Sequence, residues 1–473
     1  MDYFPLLPEI MLIAMSLVFF AATLAKPGQA LLERAAFVLA LCTLAATWAT
    51  YDQSGLFFYK AYRIDAFSQT FKILIALGLV LILWMGAGLR GINSWFRPEY
   101  YMFLALSCLG LFLMTSAVEL LTIVISIEIS SYALFVLIPL RRQPFQRDPL
   151  EASIKYFFLG AAATGITLYG MSYLFGLAHS TYLEDISVVL PGFLATQPLA
   201  VIGIVMLLCG LFYKLALFPL HFWMPDVFVG AAHETTCFVA TLPKIAAMAL
   251  IVRIVAMAGP GSHQIELILM IMAVLSMFVG NLSALGQQDI KRLLAYSSIA
   301  HAGYMMVGIV SMNQLGIASA VYYIYGYLLM NIACFAVIYN LAPQGENITV
   351  DGLRGLYRRS PLLAAVLAAG AIGLSGIPPT IGFTGKFMIF AAAFQKSFYW
   401  LVGLAVLNVC ISAFYYLRLV RAAYSSVEEP GERISLTIPA AVLGVMIMAG
   451  IVLAGVFPQN FFRLTLKAVM SVL

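Results

Sequence analysis

Fourteen apolar runs joined by short polar connections constrain this chain more than any other feature, because they leave it only one solvent in which to fold. A spanning helix needs about 20 apolar residues. The runs lie near 4 to 24, 35 to 50, 66 to 89, 100 to 118, 120 to 140, 152 to 177, 198 to 220, 236 to 258, 264 to 285, 293 to 312, 315 to 342, 361 to 394, 398 to 420 and 435 to 457. With 473 residues, 63% of them hydrophobic and 10% charged, and a mean hydropathy of +0.98, the chain lacks the polar surface of a soluble globule. It reads as an all-α integral membrane protein of about fourteen transmembrane helices. Only the stretches at 178 to 197, 343 to 360 and 424 to 434 are long enough to build a surface feature.

Charge enters these runs where lipid should forbid it. Glu128, Lys155, Lys214, Lys244 and Lys386 lie deep, and Lys72 lies nearer an edge and is expected to snorkel to the interface. Five central charges would cost on the order of 12 to 17 kcal/mol on an insertion scale. Such groups persist if they pair, face a hydrated cavity or change protonation state. Lysine rather than arginine favours the last, since a desolvated ammonium can lose its proton and a guanidinium cannot. The pattern implies a protein that handles protons.

Two spans are interrupted, each within about eight residues of a buried lysine. The seventh carries Lys214, then Pro219 and Pro225 in FPLHFWMPDVF; the twelfth runs into SGIPPTIGFTGKF, with Pro378 and Pro379 among Gly376, Gly382 and Gly385. Proline removes a backbone donor, and in lipid such a break is tolerated only where protein or a watery cavity surrounds it. Paired broken helices in two halves of a chain point to a midplane site and an inverted repeat.

Glu128 sits eight residues after Leu120, about 12 Å into its span at the rise of a helix, amid Ser126, Ser130 and Ser131. It is the one deep carboxylate, and a charge pair with Lys214 is the expected arrangement. Lys155, near the start of the sixth span, could either tune Lys214 or snorkel. Lys244 follows Pro243 mid-span and reads as a central relay, with Lys386 as the exit or terminal site. A neighbouring carboxylate would stabilise a lysine's charged form, so moving Glu128 or admitting water changes proton affinity along the row. A sodium site is less attractive, because one carboxylate among ammonium groups is a poor oxygen cage.

Of His179, His221, His233, His263 and His301, only His301 lies well inside a span. It could relay protons between Lys244 and Lys386 or simply bridge helices as a neutral ring. The histidines do not offer a facing pair for haem. All six cysteines fall in apolar runs without metal-ligand spacing, and there is no GxGxxG or P-loop. No cofactor or metal is therefore expected in this chain, and no nucleic-acid partner.

Basic residues fix the orientation. Connections after odd-numbered spans carry fifteen, among them Arg90, Arg141, Arg147, Lys291 and Arg358, against six on the other side, so both termini are expected to face away from the cytoplasm. Asp2 and Glu9 and the lack of a basic n-region argue that the first span is retained.

FYKLALFPLHFWMPDVF, IKRLLAYSSIAHAGY, LEASIKYFFLGAAATG, DGLRGLYRRSP and GIPPTIGFTGKF together resemble the antiporter-like membrane subunits of respiratory complex I, in the same order along nearly the whole chain. The resemblance implies fourteen helices containing two inverted five-helix repeats, with helices seven and twelve discontinuous. Residues 1–99 would hold helices 1–3, 100–258 the first repeat, 264–421 the second, and 422–473 the last helix and tail. It implies a hydrophilic proton axis at Glu128, Lys155, Lys214, Lys244 and Lys386. It also implies partner subunits that hold NAD, FMN, iron–sulfur clusters and quinone, in a bacterial inner membrane. Lys386 stands where one sister subunit has glutamate, and no long C-terminal lateral helix follows. A subunit of an Mrp-type cation/proton antiporter and a structural scaffold of a redox complex are the alternatives. After the seventh-span break the family continues PDVYEGAPTPV, whereas this chain has PDVFVGAAHETT. The family's loop geometry therefore does not carry over to Val229, His233 and Glu234.

Overall fold

A computed structural model describes residues 3–142, 148–259, 262–427 and 432–472; Asp2 and Arg147, used above, lie outside them. Helices α1 (Leu7–Ala25) and α2 (Gln29–Ala49) lead into a short antiparallel hairpin, β1 (Gly55–Phe57) with β2 (Tyr62–Ile64), and then α3 (Ala66–Met85). The hairpin has no counterpart in the apolar pattern. A first set follows: α4 (Arg97–Ser116), α5 (Leu120–Leu137), α6 (Asp148–Ala178), α7 (Leu183–Thr196), α8 (Pro198–Leu215), α9 (Trp223–Gly230) and α10 (His233–Ala258). A second set comprises α11 (His263–Leu285), α12 (Ile290–Val310), α13 (Gln314–Leu341), α14 (Leu356–Arg359), α15 (Pro361–Ser375), α16 (Ile381–Gln395) and α17 (Tyr399–Tyr424). Helices α18 (Ile438–Val456) and α19 (Pro458–Val469) close the chain.

Thirteen helices among the described residues are long and apolar enough to span a membrane, and α15 with α16 supply the fourteenth crossing in two pieces. Polar residues set their limits. Asp65 caps α3 reciprocally with Ser68, and the side chains of Glu119 and Asp289 accept from the amides of Thr122 and Arg292 at the starts of α5 and α12.

The two sets share a packing plan. Helix α6 lies against α8 and α9 as α13 lies against α15 and α16, and α10 covers α8 as α17 covers α15. Both breaks open the same way, with a left-handed residue after the first half-helix: Ala216 at φ 57° and Gly376 at φ 87°. Gly376 meets that requirement without a Cβ penalty, whereas Ala216 bears one. Pro225 falls in the first turn of α9, where its missing N–H has no helical partner to lose.

Burial sorts the helices. The apolar stretch of α10 is 100% buried within the chain, and α12 and α13 are nearly so, whereas α18 is 28% buried and faces outward. The centre of the bundle is therefore α10, α12 and α13. Lys244 and His301 point into it, and Lys386 reaches it beneath Tyr304 of α12.

Candidate proton axis

The first broken helix ends at a lysine. Lys214 occupies the last turn of α8, where the exposed carbonyl ends favour a cation, and its Nζ donates to Ser130 Oγ of α5 at 3.3 Å. Ser130 Oγ lies 3.3 Å from Ser107 Oγ of α4, and Gly110 permits that closeness: a Cβ there would come within 2.5 Å of the Ser130 backbone nitrogen. Glu128 does not complete the expected charge pair. Its Oε1 accepts from Thr164 Oγ1 of α6 at 2.6 Å, it is half-buried, and no ion pair within 4.0 Å joins it to Lys214. The cause is angular, since two positions along α5 turn a side chain by about 200°, which sends Glu128 and Ser130 to different neighbours.

Lys155 also differs from expectation. It neither snorkels free nor touches Lys214; Nζ forms ion pairs of 2.7 Å with Asp226 on α9 and with Glu151, on a side chain 44% exposed within this chain. Asp226 is thus a site partner that lay unremarked in the PDVF motif.

Lys244 is fully buried. Its Nζ donates to the Ser298 carbonyl of α12 at 2.9 Å, lies 3.9 Å from Met224 Sδ and sits over the Tyr327 ring at 5.6 Å. Met224 and its neighbour Trp223, whose indole donates to the Tyr213 carbonyl, link this position to the end of α8. Lys386 repeats the theme of the first break, donating to the terminal carbonyls of α15 at Leu374 (2.8 Å) and Ser375 (3.1 Å) beneath the Tyr304 ring at 4.6 Å. No carboxylate lies within 4.0 Å of Lys214, Lys244 or Lys386 among the described residues. Neutral oxygens hold all three, with an aromatic face added at Lys244 and Lys386.

His301 stands between the last two. Its Nδ1 is 2.6 Å from Tyr323 Oη of α13 and its Nε2 is 2.8 Å from Tyr416 Oη of α17, and its ring packs against both Tyr327 and Tyr304, the rings beneath the two lysines. The Tyr327 and Ser298 hydroxyls are 2.6 Å apart, and Asn281 donates to Tyr304 Oη while accepting from Tyr415. A phenol can donate and accept in turn, so this phenol–imidazole–phenol array can pass a proton without ionising. None of these tyrosines was singled out from sequence. The signal was present in VYYIYGYLL, where Tyr323 and Tyr327 share a helix face at i, i+4.

Lys72 overturns the snorkelling expectation. It is wholly buried, paired with Glu9 at 2.6 Å and set 5.1 Å from the Tyr62 ring, and the Tyr62 hydroxyl donates to the same carboxylate at 2.5 Å. Depth along a span does not predict which way a lysine turns when a partner waits on the next helix.

These features define an antiporter-like membrane subunit. Residues 117–412 match the family described as NADH:quinone oxidoreductase/Mrp antiporter, TM, and the chain belongs to that family. Within it, the kinship is with subunit N of NADH-quinone oxidoreductase. A protein so named, NADH-quinone oxidoreductase subunit N 2 of Opitutus terrae, is 43% identical over 96% of this chain and 95% of its own length. A chain of respiratory complex I from Thermus thermophilus superposes with TM-score 0.84 at 31% identity, covering 96% of this chain and 98% of that one. A chain of the Mrp complex from Dietzia sp. shares the fold, with TM-score 0.89 over 100% of this chain and 98% of that one, at 17% identity.

Proposed function

We propose that this chain moves protons through the row Glu128, Lys155, Lys214, Lys244, His301 and Lys386 as a membrane subunit of an NADH-quinone oxidoreductase. In this reading it carries no redox centre, and NAD, FMN, iron–sulfur clusters and quinone belong to partner subunits. The membrane is the bacterial inner membrane, with the arginine-rich face in the cytoplasm and both termini opposite.

The observation that carries this reading is the setting of Lys244. It lies about 16 Å along a fully buried helix, held by a carbonyl and a phenol ring rather than a carboxylate. A fixed structural charge would require a counter-ion there, whereas a group that gives up its proton is left uncharged and needs none. The inverted repeat suggested by the two breaks gives each half its own lysine.

The test is proton pumping by assembled complex carrying Lys214→Ala, with quinone reduction followed in parallel. Pumping is expected to fall by at least about a hundredfold, the lower end of what a proton-transfer group contributes. A scaffold role predicts unchanged pumping. The Mrp alternative shares the fold but not the full-length identity, and it predicts small antiporter subunits rather than redox subunits on co-purification. His301→Phe keeps an aromatic ring of similar bulk and removes both nitrogens. It is expected to slow pumping by about threefold to tenfold, and an unaltered rate would assign the ring to packing.

A further inference from the structure

The loop where this chain departs from PDVYEGAPTPV folds into a buried polar cluster at the arginine-rich end of the bundle. Glu234, in the first turn of α10, is 1% exposed. Its Oε1 accepts from the Gly91 amide at 3.1 Å, and its Oε2 is buried with no partner in the chain. Three more buried atoms are in the same condition beside it: Tyr100 Oη on α4, Thr235 Oγ1 and His233 Nδ1. The Tyr100 phenol faces Thr235 and feels the Glu234 charge. Buried polar atoms are ordinarily satisfied, and the unpaired Glu234 oxygen near the Tyr100 hydroxyl marks a place that water serves.

The charges around Glu234 are mainly cationic. Lys291 of α12 and Arg90 after α3 act on its carboxylate, and the amide ends of α10 favour a negative charge in its first turn. Tyr100 and Tyr101 of α4, Tyr339 of α13 and Cys237 of α10 also feel its charge. Lys291 is spent on the loop itself, donating to the Ala231 carbonyl at 2.7 Å and to Asn347. Glu234 keeps one buried carboxylate oxygen free.

A line of polar groups leads inward. Lys244 is ten residues further along the same helix, about 15 Å away. Between them, on α13, Asn331 presents a buried Oδ1 without a partner one turn from Tyr327, and Tyr327 bonds to Ser298, whose carbonyl holds Lys244.

We propose that Glu234 is the proton-loading site of this chain. Its free carboxylate oxygen takes a proton from water at the arginine-rich face. That proton then passes through water along the seam of α10 and α13, past Asn331 and Tyr327, to the uncharged amine of Lys244, returning Glu234 to carboxylate and leaving Lys244 as ammonium. The carboxylate at 234 thus supplies, five positions on, the acid absent at Val229. This rests on the proton-carrying reading of the axis.

Glu234→Gln separates loading from loop support, because its amide oxygen can still accept from Gly91 while the side chain can no longer carry a proton. In assembled complex reconstituted in sealed vesicles and driven by NADH, Glu234→Gln is expected to slow pumping by about fivefold or more, with Glu234→Asp within about twofold of the unmodified complex. Pumping by Glu234→Gln within twofold of the unmodified complex overturns the proposal. If Lys214→Ala abolishes pumping in that same preparation, only the loading site falls; if Lys214→Ala also pumps normally, the whole axis reading falls. Should Glu234→Gln fail to assemble, Asn331→Leu keeps similar volume and removes the unpartnered buried Oδ1 on the route between Glu234 and Lys244. It is expected to slow pumping at least about twofold, and an unchanged rate overturns the proposal.

Discussion

Lys244→Met in the assembled complex is expected to reduce proton pumping by on the order of a hundredfold, and Lys244→Arg to do nearly as much damage. The two substitutions ask different questions. Methionine removes the ammonium and keeps the apolar stem, so the neighbours of α10 keep their packing. Methionine also removes the cost of burying an amine among apolar groups, so assembly is expected to survive and the loss is read per assembled complex. Arginine keeps a positive charge over Tyr327 and can still donate to the Ser298 carbonyl, but a guanidinium does not release its proton at any ordinary pH. If a fixed positive charge were all the site needed, Lys244→Arg would pump. The measurement is vesicle acidification driven by NADH, normalised to complex content. Substantial pumping by Lys244→Arg would mean that protons pass this point without resting on residue 244.

The spans, the breaks and the depth of each lysine were legible because they follow from spacing along one helix. A run of apolar residues fixes a crossing, and a Pro-Pro between glycines fixes where it opens, as Ser375 and Ile381 bear out at the two ends of that break. What the lysines touch was not legible, because contacts depend on rotation and on partners far away in sequence. Glu128 and Lys214 are close in depth, yet Glu128 turns to Thr164 and Lys214 to Ser130. Lys291 counts as a loop cation in the charge tally, but in the structure it is wholly buried and holds the Ala231 carbonyl. Arg253 likewise lies buried against Asp65, with both carboxylate oxygens within 2.9 Å. The tyrosines around His301 come from α12, α13 and α17 and look like ordinary aromatic residues of apolar helices until the helices are assembled. Orientation rules read charge as address; several of these cations serve instead to tie loops together.

The Glu9–Lys72 pair yields the largest expected effect on stability rather than on transport. Glu9→Ala leaves the Lys72 ammonium wholly buried beside Tyr62 with no counter-charge, and removing one partner of such a pair costs about 3 to 5 kcal/mol. That is a large share of the net stability of a typical domain, roughly 5 to 15 kcal/mol. Glu9→Ala is therefore expected to cut the yield of assembled complex severely and to lower the temperature at which the remainder dissociates. The double substitution Glu9→Leu with Lys72→Met removes both charges together and fills the site with apolar volume. It is expected to restore assembly to near the unmodified level, because the desolvation cost disappears along with the attraction. Since α1 and α3 lie outside the two packed sets that hold the axis, pumping per assembled complex should be unchanged in the double variant. A double variant that assembles fully and yet pumps poorly would give this pair a part in proton movement, and the boundary drawn here around the axis would have to include the first three helices.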